Sequence, residues 1–117
     1  MWMKRCRVIS PHKATYVDPI AMNEGDAVSP GRTDPENPGW IWCTSDAGKS
    51  GWVPLAYLTI DGDRAVAQRN YDAMELTTET GSDVTVVLEE SGWALCETKS
   101  GKRGWVPINC LEPATSL

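Results

Sequence analysis

The sequence predicts an all-β chain of two small barrels in tandem, packed together. Three observations lead there. Ten Gly and eight Pro punctuate the 117 residues, and such punctuation cuts a chain into short segments. No window carries the i, i+3, i+4, i+7 apolar stripe of a helix, whereas Asp83-Val84-Thr85-Val86-Val87-Leu88 is β-branched and partly alternating. The third observation is an internal repeat, the first thing to seek in any chain.

The repeat is ungapped over its clearest stretch. Gly39-Trp40-Ile41-Trp42-Cys43-Thr44, followed by Gly48-Lys49-Ser50-Gly51-Trp52-Val53-Pro54-Leu55-Ala56-Tyr57-Leu58, returns as Gly92-Trp93-Ala94-Leu95-Cys96-Glu97, followed by Gly101-Lys102-Arg103-Gly104-Trp105-Val106-Pro107-Ile108-Asn109-Cys110-Leu111. Upstream, Ile20, Gly25 and Val28 match Leu76, Gly81 and Val84 in a slightly different register, and Tyr16 matches Tyr71. These small register changes are expected in loops. The chain therefore divides into units at 5–59 and 63–113. The join, Thr59 to Asp63, is too short for a free tether. Units of this size have marginal cores, so packing of one on the other and cooperative unfolding are expected.

Within the second unit the elements follow in order. Asp83–Leu88 is a strand bounded by Gly81 and by Glu89-Glu90-Ser91-Gly92. Trp93–Thr98 is the next, Lys99–Lys102 a turn, and Arg103–Pro107 a third strand that ends at Pro107 because proline donates no N–H. The first unit reads the same way. About five short strands must curl on themselves to bury one face.

Charge narrows the function classes. The net charge is −5, and all bases before Ala14 (Lys4, Arg5, Arg7, Lys13) stand in a segment without an acid. The remainder is strongly acidic, which argues against a nucleic-acid partner. No apolar run is long enough to span a membrane. The first residues hold no secretory stretch, so a cytoplasmic location is expected. Cys6, Cys43, Cys96 and Cys110 lack C-x-x-C spacing, so free thiols are expected and no metal. His12 has no visible nucleophile or metal cluster beside it. No catalytic residue, enzyme activity or cofactor is expected.

The pattern Gly-Asp-x-Val, then Gly-Trp, then Gly-x-x-Gly-Trp-Val-Pro-x-x-Tyr-Leu resembles the closing half of a Src homology 3 (SH3) domain. Both repeats carry it, over most of the chain. Tyr16-Val17-Asp18-Pro19-Ile20 followed by Asn23-Glu24-Gly25-Asp26 resembles the bacterial variant branch. The resemblance implies two SH3-like β-barrels that bind protein partners. It also implies an aromatic peptide groove in each unit: Tyr16, Trp40, Trp52, Pro54 and Tyr57 in the first, and Tyr71, Trp93, Trp105, Pro107 and Asn109 in the second. Such grooves suit a proline-rich ligand, already extended. Acids of the loops (Asp18, Glu24, Asp34, Glu36; Asp72, Glu75, Glu89, Glu90) would read a basic ligand residue.

The departures weaken the second groove. Arg69 and Ala14 stand where the family has a groove tyrosine, Cys110 replaces the terminal tyrosine, and the first specificity loop is short. If Val53 and Val106 point inward, Trp52 and Trp105 point out. Trp42, with Leu95 as its counterpart, marks a surface the units do not share. Cys43 and Cys96 are expected to be buried, and Cys110 to be open to solvent. Two rival expectations stand beside peptide binding: a structural or regulatory subunit whose aromatics form interdomain and homodimer contacts, and a bacterial cell-wall targeting module.

Overall fold

The computed structural model describes residues 4–114. Twelve strands run through them: β1 (Lys4–Val8), β2 (Ala21–Met22), β3 (Ala27–Thr33), β4 (Trp40–Ser45), β5 (Ser50–Pro54), β6 (Leu58–Asp61), β7 (Arg64–Ala67), β8 (Tyr71–Asp72), β9 (Asp83–Glu90), β10 (Trp93–Glu97), β11 (Arg103–Pro107) and β12 (Leu111–Pro113). One-turn 3-10 helices, Leu55–Tyr57 and Ile108–Cys110, follow β5 and β11. Both ladders stop at proline, as the missing N–H requires.

The strands form two five-stranded antiparallel sheets, in the orders β5-β4-β3-β7-β6 and β11-β10-β9-β1-β12. The sequence repeat and the compact units therefore do not share boundaries. One unit is the continuous segment Tyr16–Met74; the other joins the chain up to Thr15 to the chain from Glu75 onward. The boundaries expected above, 5–59 and 63–113, follow the repeat. In space, the strand that opens each repeat closes the sheet of the other. β1 pairs with β9 and β12, while β7 pairs with β3 and β6.

The exchange preserves register. Val28 lies opposite Ala65 as Val84 lies opposite Cys6, and Leu58 opposite Ala67 as Leu111 opposite Val8. β1 and β7 are thus interchangeable in role, which is why the exchange leaves no trace in the hydrophobic pattern.

Each unit has its own apolar centre. In the inserted unit, Ile20, Val28, Ile41, Cys43, Val53, Ala65 and Ala67 are buried. In the split unit, Cys6, Val8, Leu76, Val84, Val86, Ala94, Cys96, Val106 and Cys110 form one cluster, with Ile108 and Leu111 against it. Cys110 is buried there, not open to solvent. All four cysteines are free. Glycine at 104 has a packing cause. A Cβ there would come within 2.6 Å of the Leu76 nitrogen, where residues 75–76 cross β11.

Candidate functional site

In β4, Ile41 and Cys43 face the core, which turns Trp42 outward. In β5, Val53 faces the core and turns Trp52 outward. Trp42 and Trp52 are cross-strand partners. Their rings meet edge to face, 5.1 Å between centroids. Tyr16 leans on Trp42 at 5.3 Å and is 36% exposed. Val17 beside it is 96% exposed. Such aromatic pairs contribute about 0.5–1.5 kcal/mol beyond their buried area, so the trio is a preorganised surface.

Charge is placed around it. The Arg32 guanidinium stands 5.1 Å from the Trp42 ring centroid and 5.3 Å from that of Trp52. Glycine at 31 lets β3 close on Trp42, since a Cβ would lie 3.1 Å from the Trp42 carbonyl oxygen. The following loop is held by Asp34, whose carboxylate accepts from the Asn37 side-chain amide and the Glu36 backbone N–H, both at 2.9 Å. These bonds hold that carboxyl below the usual carboxylate range. Behind Val17, Asp18 pairs with Lys49 at 3.1 Å. Every residue of this surface belongs to the inserted unit.

The other aromatics expected in the first groove lie deeper. Trp40 and Tyr57 are each 4% exposed and Pro54 is fully buried. Tyr57 packs edge to face on Tyr71 at 5.6 Å, and Arg69 covers Tyr57 at 4.5 Å. The Tyr71 hydroxyl donates to the Trp52 carbonyl at 2.7 Å. Tyr71, expected in the second groove, therefore stands in the same unit as Tyr57, carried there by the exchanged strand. Arg69, which interrupts the family pattern in sequence, serves as a cover for a buried tyrosine.

The pairing also corrects the match between Tyr16 and Tyr71. Tyr71 lies opposite Met22, and His12 lies opposite Thr78. Met22 and Thr78 are equivalent positions in the upstream register of the repeat, so the counterpart of Tyr71 is His12. In the split unit His12 meets Trp93 edge to face at 5.5 Å. Its Nε2 donates to Glu75 Oε1 at 2.7 Å, with both side chains largely buried. Spacing along the chain could not reveal this pair, because its partners lie on opposite sides of the inserted unit.

The remaining expected residues of the second groove are dispersed in exposure. Pro107 is half-buried and Asn109 exposed. Trp105 is 3% exposed although Val106 next to it faces the core, so both faces of β11 are covered there. Among the described residues no group of three His, Cys, Asp or Glu side chains could hold a metal ion. Of the loop acids, Asp18 and Glu89 are in ion pairs and Glu75 is bound to His12. Trp42, which the sequence marks only as a surface the units do not share, is the ring that joins Tyr16 to Trp52.

A family model described as variant SH3 domain matches residues 5–61 and, a second time, residues 65–114.

Proposed function

The chain belongs to the variant SH3 domain family, with two copies in tandem, and from that premise we propose that it binds a peptide or protein partner through the Tyr16–Trp42–Trp52 surface. SH3-like domains are in general protein-interaction modules and typically non-catalytic. The observation that supports this surface as the ligand face is its partial exposure. The trio is packed ring against ring, so it loses little entropy on docking, yet Tyr16 keeps an open edge. An extended ligand lays apolar residues, proline among them, against the ring edges. Arg32 offers guanidinium N–H donors to a ligand carbonyl or carboxylate.

Trp42→Ala tests the reading, because Trp42 is half-buried and its loss leaves the core alone. Immobilised wild-type and variant chains are probed with a proline-rich peptide array and with lysate of the source cell. Truncating an aromatic anchor costs about 2 kcal/mol or more at a hot spot, so the variant is expected to bind its partners at least about tenfold more weakly. Unchanged capture by a variant with a native circular dichroism spectrum refutes this face.

The near-complete burial of Trp40, Tyr57 and Trp105 favours a second reading for those three residues. In it they are structural aromatics, and the ligand meets only the outer trio. Alanine substitution at Trp40 should then unfold the inserted unit rather than select among ligands.

A further inference from the structure

The split unit carries an open apolar pocket of about 110 Å³ at the level of Ala94. Its floor is Cys6, Val86 and Ala94, and its walls include Ile108 and Leu111. The repeat explains why it is there. Ala94 lies opposite Val106 in β11, and its counterpart Ile41 lies opposite Val53 in β5. Ile41 is buried. The larger side chain is missing in the split unit, and Cys6 in place of the smaller Ala65 restores only part of the volume.

The mouth is charged. Lys4 pairs with Glu89 at 3.5 Å, both partly exposed, and Glu112 is the third charged residue of the lining. Two carboxylates thus stand beside one ammonium, in a chain of net charge −5. A dry cavity of roughly 150 Å³ accepts benzene, so this smaller opening suits one branched aliphatic group.

We propose that this pocket binds the aliphatic side chain of a partner peptide whose adjacent residue or amino terminus carries a positive charge. The side chain occupies the space that Ile41 fills in the other unit, and the cation faces Glu89 and Glu112. The site is separate from the aromatic surface and does not depend on it.

Leucinamide, an isobutyl group beside an ammonium, is a minimal probe. Titrated into the full chain and followed by amide NMR shifts, it is expected to give saturable changes centred on Cys6, Glu89, Ala94 and Leu111. Isovalerate has the same isobutyl group with a carboxylate and is expected to bind at least fivefold more weakly. Ala94→Ile fills the pocket and should lower leucinamide affinity at least tenfold with the remaining spectrum intact. Glu112→Gln, on the exposed rim, should lower leucinamide affinity but not that of isovalerate, and it carries the comparison if Ala94→Ile disturbs the fold. Absence of saturable shifts, equal binding of the two probes, or wild-type affinity in a folded Ala94→Ile chain overturns the proposal.

Discussion

Burial pushes the Cys43 thiol up to about 11 and the Cys96 thiol to about 12. These two cysteines occupy equivalent positions of the repeat, in β4 and β10, and both side chains are fully buried. Their thiols are therefore inert near neutrality. The linkage has a definite sign. In the unfolded chain a thiol loses its proton near its ordinary value of 9.0, whereas in the folded chain it keeps it to about 11 or 12. Between those values the folded state holds more protons, so stability falls as pH rises. Below pH 9 this source contributes no slope. Each thiol adds up to about 1.4 kcal/mol per pH unit within its window. Urea melts at pH 7, 9, 10 and 10.5 should show the fall, and Cys43→Ala should make it shallower. Equal slopes for wild type and Cys43→Ala would refute the assignment. Cysteine burial at these positions was legible in the sequence, because the repeat places Cys43 and Cys96 at equivalent strand positions that the family resemblance fills with a small core residue. The burial of Cys110 was not, since the resemblance put a groove tyrosine there, whereas the thiol packs into the core of the split unit.

At the scale of elements, the strands themselves are legible but their partners are not. Lys4–Val8 and Arg64–Ala67 both alternate outward charge or bulk with inward small residues, and either strand satisfies the same ladder. Local pattern cannot choose between them. Core volume can. Ala65 and Ala67 enter the unit that contains Ile41, and the larger Cys6 and Val8 enter the unit that contains Ala94. Small opposes large in each case, which is how interiors reach crystal-like packing. The Tyr57–Tyr71 and His12–Trp93 contacts follow from the same exchange, and a residue-by-residue reading of each repeat holds no signal for either. A buried charge reports which sheet a strand serves, because an uncompensated carboxylate inside a core is strongly destabilising. Ala65→Asp should accelerate amide hydrogen exchange chiefly in β3, β4 and β6, and Val8→Asp chiefly in β9, β10 and β12. Mass-spectrometric exchange after proteolysis resolves these segments. The reverse assignment, with Ala65→Asp opening β9 and β12 more than β3 and β6, would show that each repeat closes on its own first strand.

For the whole molecule, the exchange makes chain connectivity a source of coupling. The split unit needs β1, which reaches Glu75 only through the inserted unit of about sixty residues. When that unit is folded its two ends are held near each other, as the Ala73 N–H donating to the Ile20 carbonyl at 3.0 Å shows. The connection then behaves as a loop of roughly ten residues rather than sixty. Loop-closure entropy grows as about (3/2)RT ln n, and the difference amounts to about 1.5 kcal/mol in favour of a split unit with a folded insert. Linkage makes the effect mutual: closing the split unit also holds the ends of the insert together. Two small cores, each marginal for its size, are thereby raised by the same covalent arrangement. The expected outcome is that Ala65→Asp, which touches only the inserted unit, also lowers the stability of the split unit by about 1.5 kcal/mol. Hydrogen-exchange free energies of β9 and β10 amides measure this directly. If they stay at their wild-type values while β3 and β4 open, the two units are energetically independent, and the cooperative unfolding expected from their size fails with them.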